Sequence, residues 1–184
     1  MRDYIRLMTR NTLNTFKRLN KIMNREDAMK QFLIFTSNRQ QFALEINNIS
    51  KIIEYIVPRE IPESSDFVLG VIPYNESILP VISLSTRLYG KDSELSQERK
   101  VIVTLWKGKE IGFVVEEIVG IRTVEESDIE PSNKELKISR DYIEGYIKDG
   151  ESIIIILEIS KIFSVDQEKE LLSMELDQED QLVG

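Results

Sequence analysis

The stretch Phe32-Leu33-Ile34-Phe35-Thr36-Ser37-Asn38-Arg39-Gln40-Gln41-Phe42-Ala43-Leu44-Glu45-Ile46 aligns position by position with Val101-Ile102-Val103-Thr104-Leu105-Trp106-Lys107-Gly108-Lys109-Glu110-Ile111-Gly112-Phe113-Val114-Val115. Each is an apolar run, a polar turn of four residues and a second run, the signature of a β-hairpin. Phe42, Leu44 and Ile46 alternate with Gln41, Ala43 and Glu45, the period-two pattern of a strand with one buried face. Downstream, Ile49 and Ile52 fall where Ile118 and Ile121 fall, and Pro62 answers Pro131. Farther on, Asp66-Phe67-Val68-Leu69-Gly70-Val71-Ile72 parallels Asp141-Tyr142-Ile143-Glu144-Gly145-Tyr146-Ile147. A polar turn follows in each, then a long apolar strand, Ile78 to Leu84 or Ile153 to Ile159, ending in Ser85-Thr86-Arg87-Leu88 or Ser160-Lys161-Ile162-Phe163. So many matched positions in one order mark a duplication.

Each copy holds about 70 residues, a size at which a lone β unit buries too little surface for comfortable stability. Two packed β-barrels answer that need, because closing short strands into barrels also removes exposed edges. The expected architecture is therefore all-β, with repeats at 31–90 and 98–165 and the charged, aperiodic stretch Lys91 to Lys100 as connector. Ile49, Ile52, Ile53 and Ile56 have helical spacing, yet Ile52 to Val57 is rich in β-branched residues, and the segment is assigned as strand.

The two ends differ from this middle. Residues 1–30 carry apolar Ile5, Met8, Phe16, Leu19 and Met23 near helical spacing, and eight basic side chains against three acidic ones, a local excess of about +5. This basic amphipathic helix is open to two readings: a docking or membrane-surface element, or a helix that covers a barrel or is dispensable to it. Residues 166–184 form an acidic tail, expected to include a short helix, whose seven carboxylates face only Lys169.

Two absences exclude more chemistry than any motif suggests: the 184 residues contain neither cysteine nor histidine. No disulfide framework, thiolate nucleophile, zinc-thiolate site or Ser-His-Asp arrangement can be assembled. Catalysis would have to rest on Asp, Glu, Lys or Tyr with displaced pKa values, and no catalytic, metal or cofactor residue is assigned. A net charge of -8 argues against nucleic-acid binding, which needs clustered Lys and Arg. The longest apolar run, Ile153 to Leu157, is far shorter than the roughly 20 residues of a membrane span, and Met1 to Arg10 lacks the apolar stretch of a signal peptide, so a cytoplasmic protein is expected.

Local candidates are weak. Gly108, Gly112 and Gly120 are too scattered for a phosphate-binding loop. In a strand, Glu116-Glu117 and Glu125-Glu126 point to opposite faces, so they read as solvated charge rather than an acid/base couple. Trp106 beside Lys107-Gly108-Lys109 reads as partial core rather than a base-stacking site. Gly70 and Gly145 occupy the same place in both copies, which suits either a structural bulge or, for Gly70, a partner contact.

At Gly70-Val71-Ile72 followed by Ile78-Leu79-Pro80-Val81-Ile82-Ser83-Leu84, the chain resembles the CheW family of bacterial chemotaxis coupling proteins, whose hallmark is G-V-I-N-L-R-G and then P-V-I-D-L-R. The resemblance runs from about Gln31 to Val165 and includes Phe32 to Phe35, Ile111 to Glu116, Ile129-Glu130-Pro131, and Tyr142-Ile143 with Gly145. It implies two SH3-like five-stranded β-barrels in one unit and a non-catalytic adaptor. The implied partners are the cytoplasmic tip of a methyl-accepting chemoreceptor and the regulatory domain of a CheA-type histidine kinase, with the membrane reached only through the receptor. It further implies that Ile49, Gly70, Val71, Ile72 and Asn75 line the receptor surface, so that Gly70→Arg would disrupt binding while the fold survives. Other readings are the same module in another pathway, such as surface motility, and a small-ligand binder or enzyme using carboxylates between the barrels. The chain departs from the family pattern at Pro73-Tyr74-Asn75-Glu76 in place of N-L-R-G, at Ser83 and Ser85 in place of Asp and Arg, and at Lys51, a commonly acidic position.

Overall fold

Asn38 (φ 50°) and Arg39 (φ 64°) adopt the left-handed backbone region, as do Lys107 (φ 49°) and Gly108 (φ 82°). Two consecutive residues of this kind make the two-residue turn whose twist matches that of the flanking strands. The computed structural model, which describes residues 28–91, 99–132 and 140–179, accordingly folds β1 (Met29–Ser37) back on β2 (Gln40–Glu45), and β6 (Lys100–Trp106) back on β7 (Lys109–Val115). Ser37 faces Gln40 and Trp106 faces Lys109, so each turn is two residues rather than four. Ile46 leaves the strand and opens a short helical turn, Ile46–Asn48.

The remaining strands are β3 (Ile49–Glu54), β4 (Val68–Tyr74), β5 (Ser77–Ser83), β8 (Glu117–Glu125), β9 (Ile129–Pro131), β10 (Ile143–Asp149) and β11 (Ser152–Leu157). Helix α1 (Leu84–Tyr89) follows β5, and α2 (Val165–Glu179) ends the described chain. The strands form two sheets, a six-stranded one ordered β8-β1-β2-β11-β10-β9 and a five-stranded one ordered β3-β6-β7-β5-β4. The ambiguous isoleucine segment is thus a strand as far as Glu54, with Ile56 and Val57 beyond its end. The expectation of five strands in each sheet fails in one, because β9 adds to β10. Neither ladder closes among the described residues: the end strands of each sheet are not paired with one another.

The sequence repeat and the sheet are different units. Each hairpin pairs with the other copy, and it does so reciprocally: Leu33 faces Ile121 as Ile102 faces Ile52, and Ala43 faces Ile156 as Gly112 faces Val81. Each sheet therefore combines the hairpin of one copy with the last three matched strands of the other.

This exchange explains the long apolar runs. A strand buried on both faces reads as continuous hydrophobic sequence instead of alternating. Phe32 and Ile34 of β1 face the cluster within the six-stranded sheet, which includes Ala43, Val124, Ile154 and Ile156. Leu33 and Phe35, one residue out of phase, face the junction between the sheets with Phe42, Leu44, Ile102, Trp106, Phe113, Leu157 and Phe163. In β6, Val101 and Val103 join Ile72, Leu79 and Val81 within the five-stranded sheet, while Ile102 and Trp106 join the junction. Phe163 is its centre, with ring centroids 5.7 Å from Phe67, 5.3 Å from Trp106 and 6.1 Å from Phe113. Burying each such ring contributes roughly 3 kcal/mol.

Helix α2 closes the junction from the end of the second copy. Leu171 is buried in the junction cluster and Leu172 packs against it. Glu170 accepts hydrogen bonds from the Ser65 N–H at 2.6 Å and hydroxyl at 2.5 Å, while Lys107 at the second hairpin turn pairs with Glu168. Much of the expected acidic tail is therefore helix with a packed face. The helix assigned to residues 1–30 falls almost wholly outside the described residues, as do most of the connector and the last residues of the tail.

Candidate functional site

The expected receptor-facing residues do not form one exposed face. Ile49 begins β3, opposite Thr104, and packs partly buried against the junction core. Gly70, Val71 and Ile72 lie in β4, and three strands stand between β3 and β4 in the ladder. Ile72, 2% exposed, belongs to the core of the five-stranded sheet, and Gly70 and Val71 are also buried. Asn75 is exposed at the first position of the β4–β5 turn, with φ 53°. The second copy places Gly150, φ 61°, at the corresponding turn position, so Asn75 occupies a site demanding left-handed backbone, which Asn tolerates better than most residues.

Gly70 is explained by close backbone approach. A Cβ there would stand 2.1 Å from the Arg59 carbonyl oxygen, and Gly70 itself has φ 129°. Arg59 exchanges backbone hydrogen bonds with Val71, both at 2.9 Å. In the second copy a Cβ on Gly145 would stand 2.7 Å from the Glu130 carbonyl oxygen, again where an extra segment crosses β10. The ladder is irregular at both glycines, between Val68 and Gly70 and between Ile143 and Gly145. An Arg side chain at Gly70 would meet the Arg59 backbone in a conformation that side chains rarely adopt, so Gly70→Arg is now expected to disturb the fold as well as any binding.

Glu116 also has a structural task. Its carboxylate accepts the Asn38 N–H at 2.6 Å and the Arg39 N–H at 3.4 Å, capping the first hairpin turn from the other copy. It is therefore not merely solvated charge. Trp106, 1% exposed, is core, and α1 carries Arg87 and Tyr89. Burial lowers the Arg87 guanidinium from its ordinary value, with Tyr142 opposing, and raises the Tyr89 phenol, helped by Tyr142 and Glu116.

Among the exposed apolar side chains, which also include Leu105 on β6 and Ile153 on β11, one group lies at or beside the end strands. Ile52 (40%), Ile56 and Val57 lie on and just after β3, while Val119 and Ile121 (66%) lie on β8. Ile52 and Ile121 are equivalent in the repeat and face equivalent partners, so each sheet carries one such edge. Clustered apolar exposure on edge strands marks contact surfaces. Matched positions across the duplication were the available signal, but matching alone cannot distinguish core from surface. Among the described residues no group of three or more carboxylates could hold a metal ion, and no helix is long and apolar enough to cross a membrane.

Residues 31–167, nearly all of the two-sheet unit and the first residues of α2, match the CheW-like domain model. The chain belongs to the CheW-like domain family. A chemotaxis protein CheW of Thermotoga maritima is 31% identical over 138 residues, covering 74% of this chain and 90% of that protein. A CheW of Bacillus subtilis is 25% identical over 134 residues, covering 72% and 86%. Among solved structures, the scaffolding protein TtCheW of Thermoanaerobacter tengcongensis superposes with a TM-score of 0.70 at 26% identity, covering 78% of this chain and 92% of that one.

Two departures from the CheW pattern have local explanations. Ser83, where the family pattern has Asp, is the N-cap of α1, its hydroxyl oxygen accepting the Thr86 N–H at 3.1 Å. Ser85 is buried and donates to the Lys91 carbonyl at 3.0 Å, holding the chain as it leaves α1. Asn75 suits the left-handed backbone of its turn, while Glu76 and Lys51 lie on the surface, where nothing in the fold requires the change.

Proposed function

We propose that this chain is a non-catalytic coupling scaffold of chemotaxis, joining the cytoplasmic tip of a methyl-accepting chemoreceptor to the regulatory domain of a CheA-type histidine kinase. The observation that carries this is the family match over residues 31–167, which takes in nearly all of the two-sheet unit, with relatives named as chemotaxis CheW proteins matched over 90% and 86% of their own length. In this reading residues 31–165 are the working unit, each sheet curls into an SH3-like barrel, and residues 1–30 and 166–184 are additions to it. The protein acts in the cytoplasm, reaches the membrane only through the receptor, and binds no nucleic acid, in keeping with its net charge of -8.

Bridging needs two separate contact surfaces. The repeat-related apolar edges, Ile52 with Val57 and Val119 with Ile121, stand on different sheets and supply them. Of the residues assigned to the receptor surface, Asn75 makes its contact from the β4–β5 turn, which Gly70, Val71 and Ile72 hold in place, and Ile49 contributes separately from β3. The changed turn at Pro73 to Glu76 favours one second reading, the same scaffold serving another CheA-like pathway such as surface motility. Pull-down with purified CheA and a receptor cytoplasmic fragment at about 10 μM tests the proposal. Retention of both supports coupling, and binding to neither sinks it.

A further inference from the structure

Arg87 projects from α1 into the junction of the two sheets. Its guanidinium carbon lies 6.0 Å from the Phe67 ring centroid, 5.8 Å from that of Tyr142 and 5.9 Å from that of Phe163. Phe67 and Tyr142 are equivalent residues of the two copies, so the cation stands between matched elements. Its own counterpart in the second copy is Ile162, 0% exposed. The fold accepts an apolar side chain there in one copy, so the repeat itself does not require the charge.

The guanidinium is also incompletely satisfied. No described carboxylate forms an ion pair with Arg87, and its Nε is buried without a hydrogen-bond partner. Buried donors in native proteins are nearly always paired, and the Arg fork suits a planar, two-oxygen acceptor. Arg87 is nonetheless reachable: with Ser65, Asp66, Thr86, Gly90 and Gln167 it lines a cavity of about 420 Å³. The other donors there are largely spent. The Ser65 hydroxyl is engaged by Glu170, and the Thr86 hydroxyl donates to the Ser83 oxygen at 2.9 Å. Gln167 accepts the Ser164 N–H through Oε1, which leaves its amide NH2 as a second donor at the rim. Asp66, the acidic residue of the lining, disfavours a multiply charged anion such as phosphate and admits a singly charged one more easily.

We infer that this cavity is a carboxylate-binding site, anchored by Arg87, whose guanidinium carbon lies 5.8–6.0 Å from each of the three ring centroids. The carboxylate can come from an acidic side chain of a protein or from a free small acid. The site is distinct from the exposed edges and does not depend on the scaffold reading. Nitrogen-15 NMR of the arginine Nε–Hε groups in the full chain reads it directly. One arm titrates acetate and the other a capped peptide with a single Glu, each to about 10 mM. The resonance lost in Arg87→Met identifies Arg87, and Arg87→Ile, copying Ile162, replaces that variant if it folds poorly. A saturable shift confined to the Arg87 resonance in either arm supports the site, and the tighter arm names the source. In the folded variant, followed through the backbone amide shifts of the lining residues Thr86 and Gly90, affinity for the same probe is expected to fall about tenfold or more. No Arg87 shift with either probe, or an equal shift at every arginine, overturns the inference.

Discussion

In the second copy the segment arriving at β10 forms a three-residue strand, Ile129–Pro131, whereas in the first copy the equivalent approach to β4 is a single bridge between Arg59 and Val71. Both crossings depend on a glycine, yet the copy with fewer paired residues leaves less room for a side chain: an added Cβ would stand 2.1 Å from the crossing carbonyl oxygen at Gly70 against 2.7 Å at Gly145. A duplicated backbone can thus keep its ladder register while one matched position becomes more dependent on glycine. Gly70 adds a φ of 129°, for which Gly145 has no equivalent.

The sharpest test of this asymmetry exchanges each glycine for alanine. Gly70→Ala should cost on the order of 4 kcal/mol and Gly145→Ala about 2 kcal/mol, measured by urea unfolding. Equal costs would show that local strain at Gly70 contributes nothing. A second asymmetry is the clasp of α2 on the first copy: Glu170→Ala removes the acceptor of two Ser65 hydrogen bonds and should cost about 2 kcal/mol by the same measurement. No loss would mean that α2 is held by Leu171 and Leu172 alone.

The turns predict a smaller effect. Asn75→Val should cost about 1 kcal/mol, while Asn75→Gly, which reproduces Gly150, should leave stability within a few tenths. Smallest in stability and largest in binding are the edges. Ile52→Lys and Ile121→Lys should each change unfolding free energy by less than about 0.5 kcal/mol, and each should weaken binding of a different partner about tenfold, measured by titration calorimetry. If both substitutions weaken the same partner, the two edges are not separate surfaces.

Local order was legible in the sequence where one hairpin decides it. Apolar runs flanking Asn38-Arg39 and Lys107-Gly108 marked the turns, and β-branched residues outweighed helical spacing at Ile49 to Ile56. Strand partners were not legible, because the repeat aligns Leu33 with Ile102 without stating that Leu33 pairs with Ile121. The same limit hid the candidate site. Gly70, Val71 and Ile72 read as one contact motif, but burial of Ile72 and the Arg59 crossing depend on residues distant in the pattern. Glu116 beside Glu117 was read as solvated because the turn it caps lies 78 positions away in sequence.

The exchange of hairpins also sets an order of completion as the chain leaves the ribosome. Strands β1 and β2 emerge first, but β1 waits for β8 and β2 for β11, whose last residue is Leu157. The five-stranded sheet has all its strands once Val115 has been added. Newly made protein therefore carries the Phe32-to-Glu45 hairpin with an outer edge unpaired until β11 has been added. Such an exposed β surface is the part of the nascent chain most in need of a chaperone.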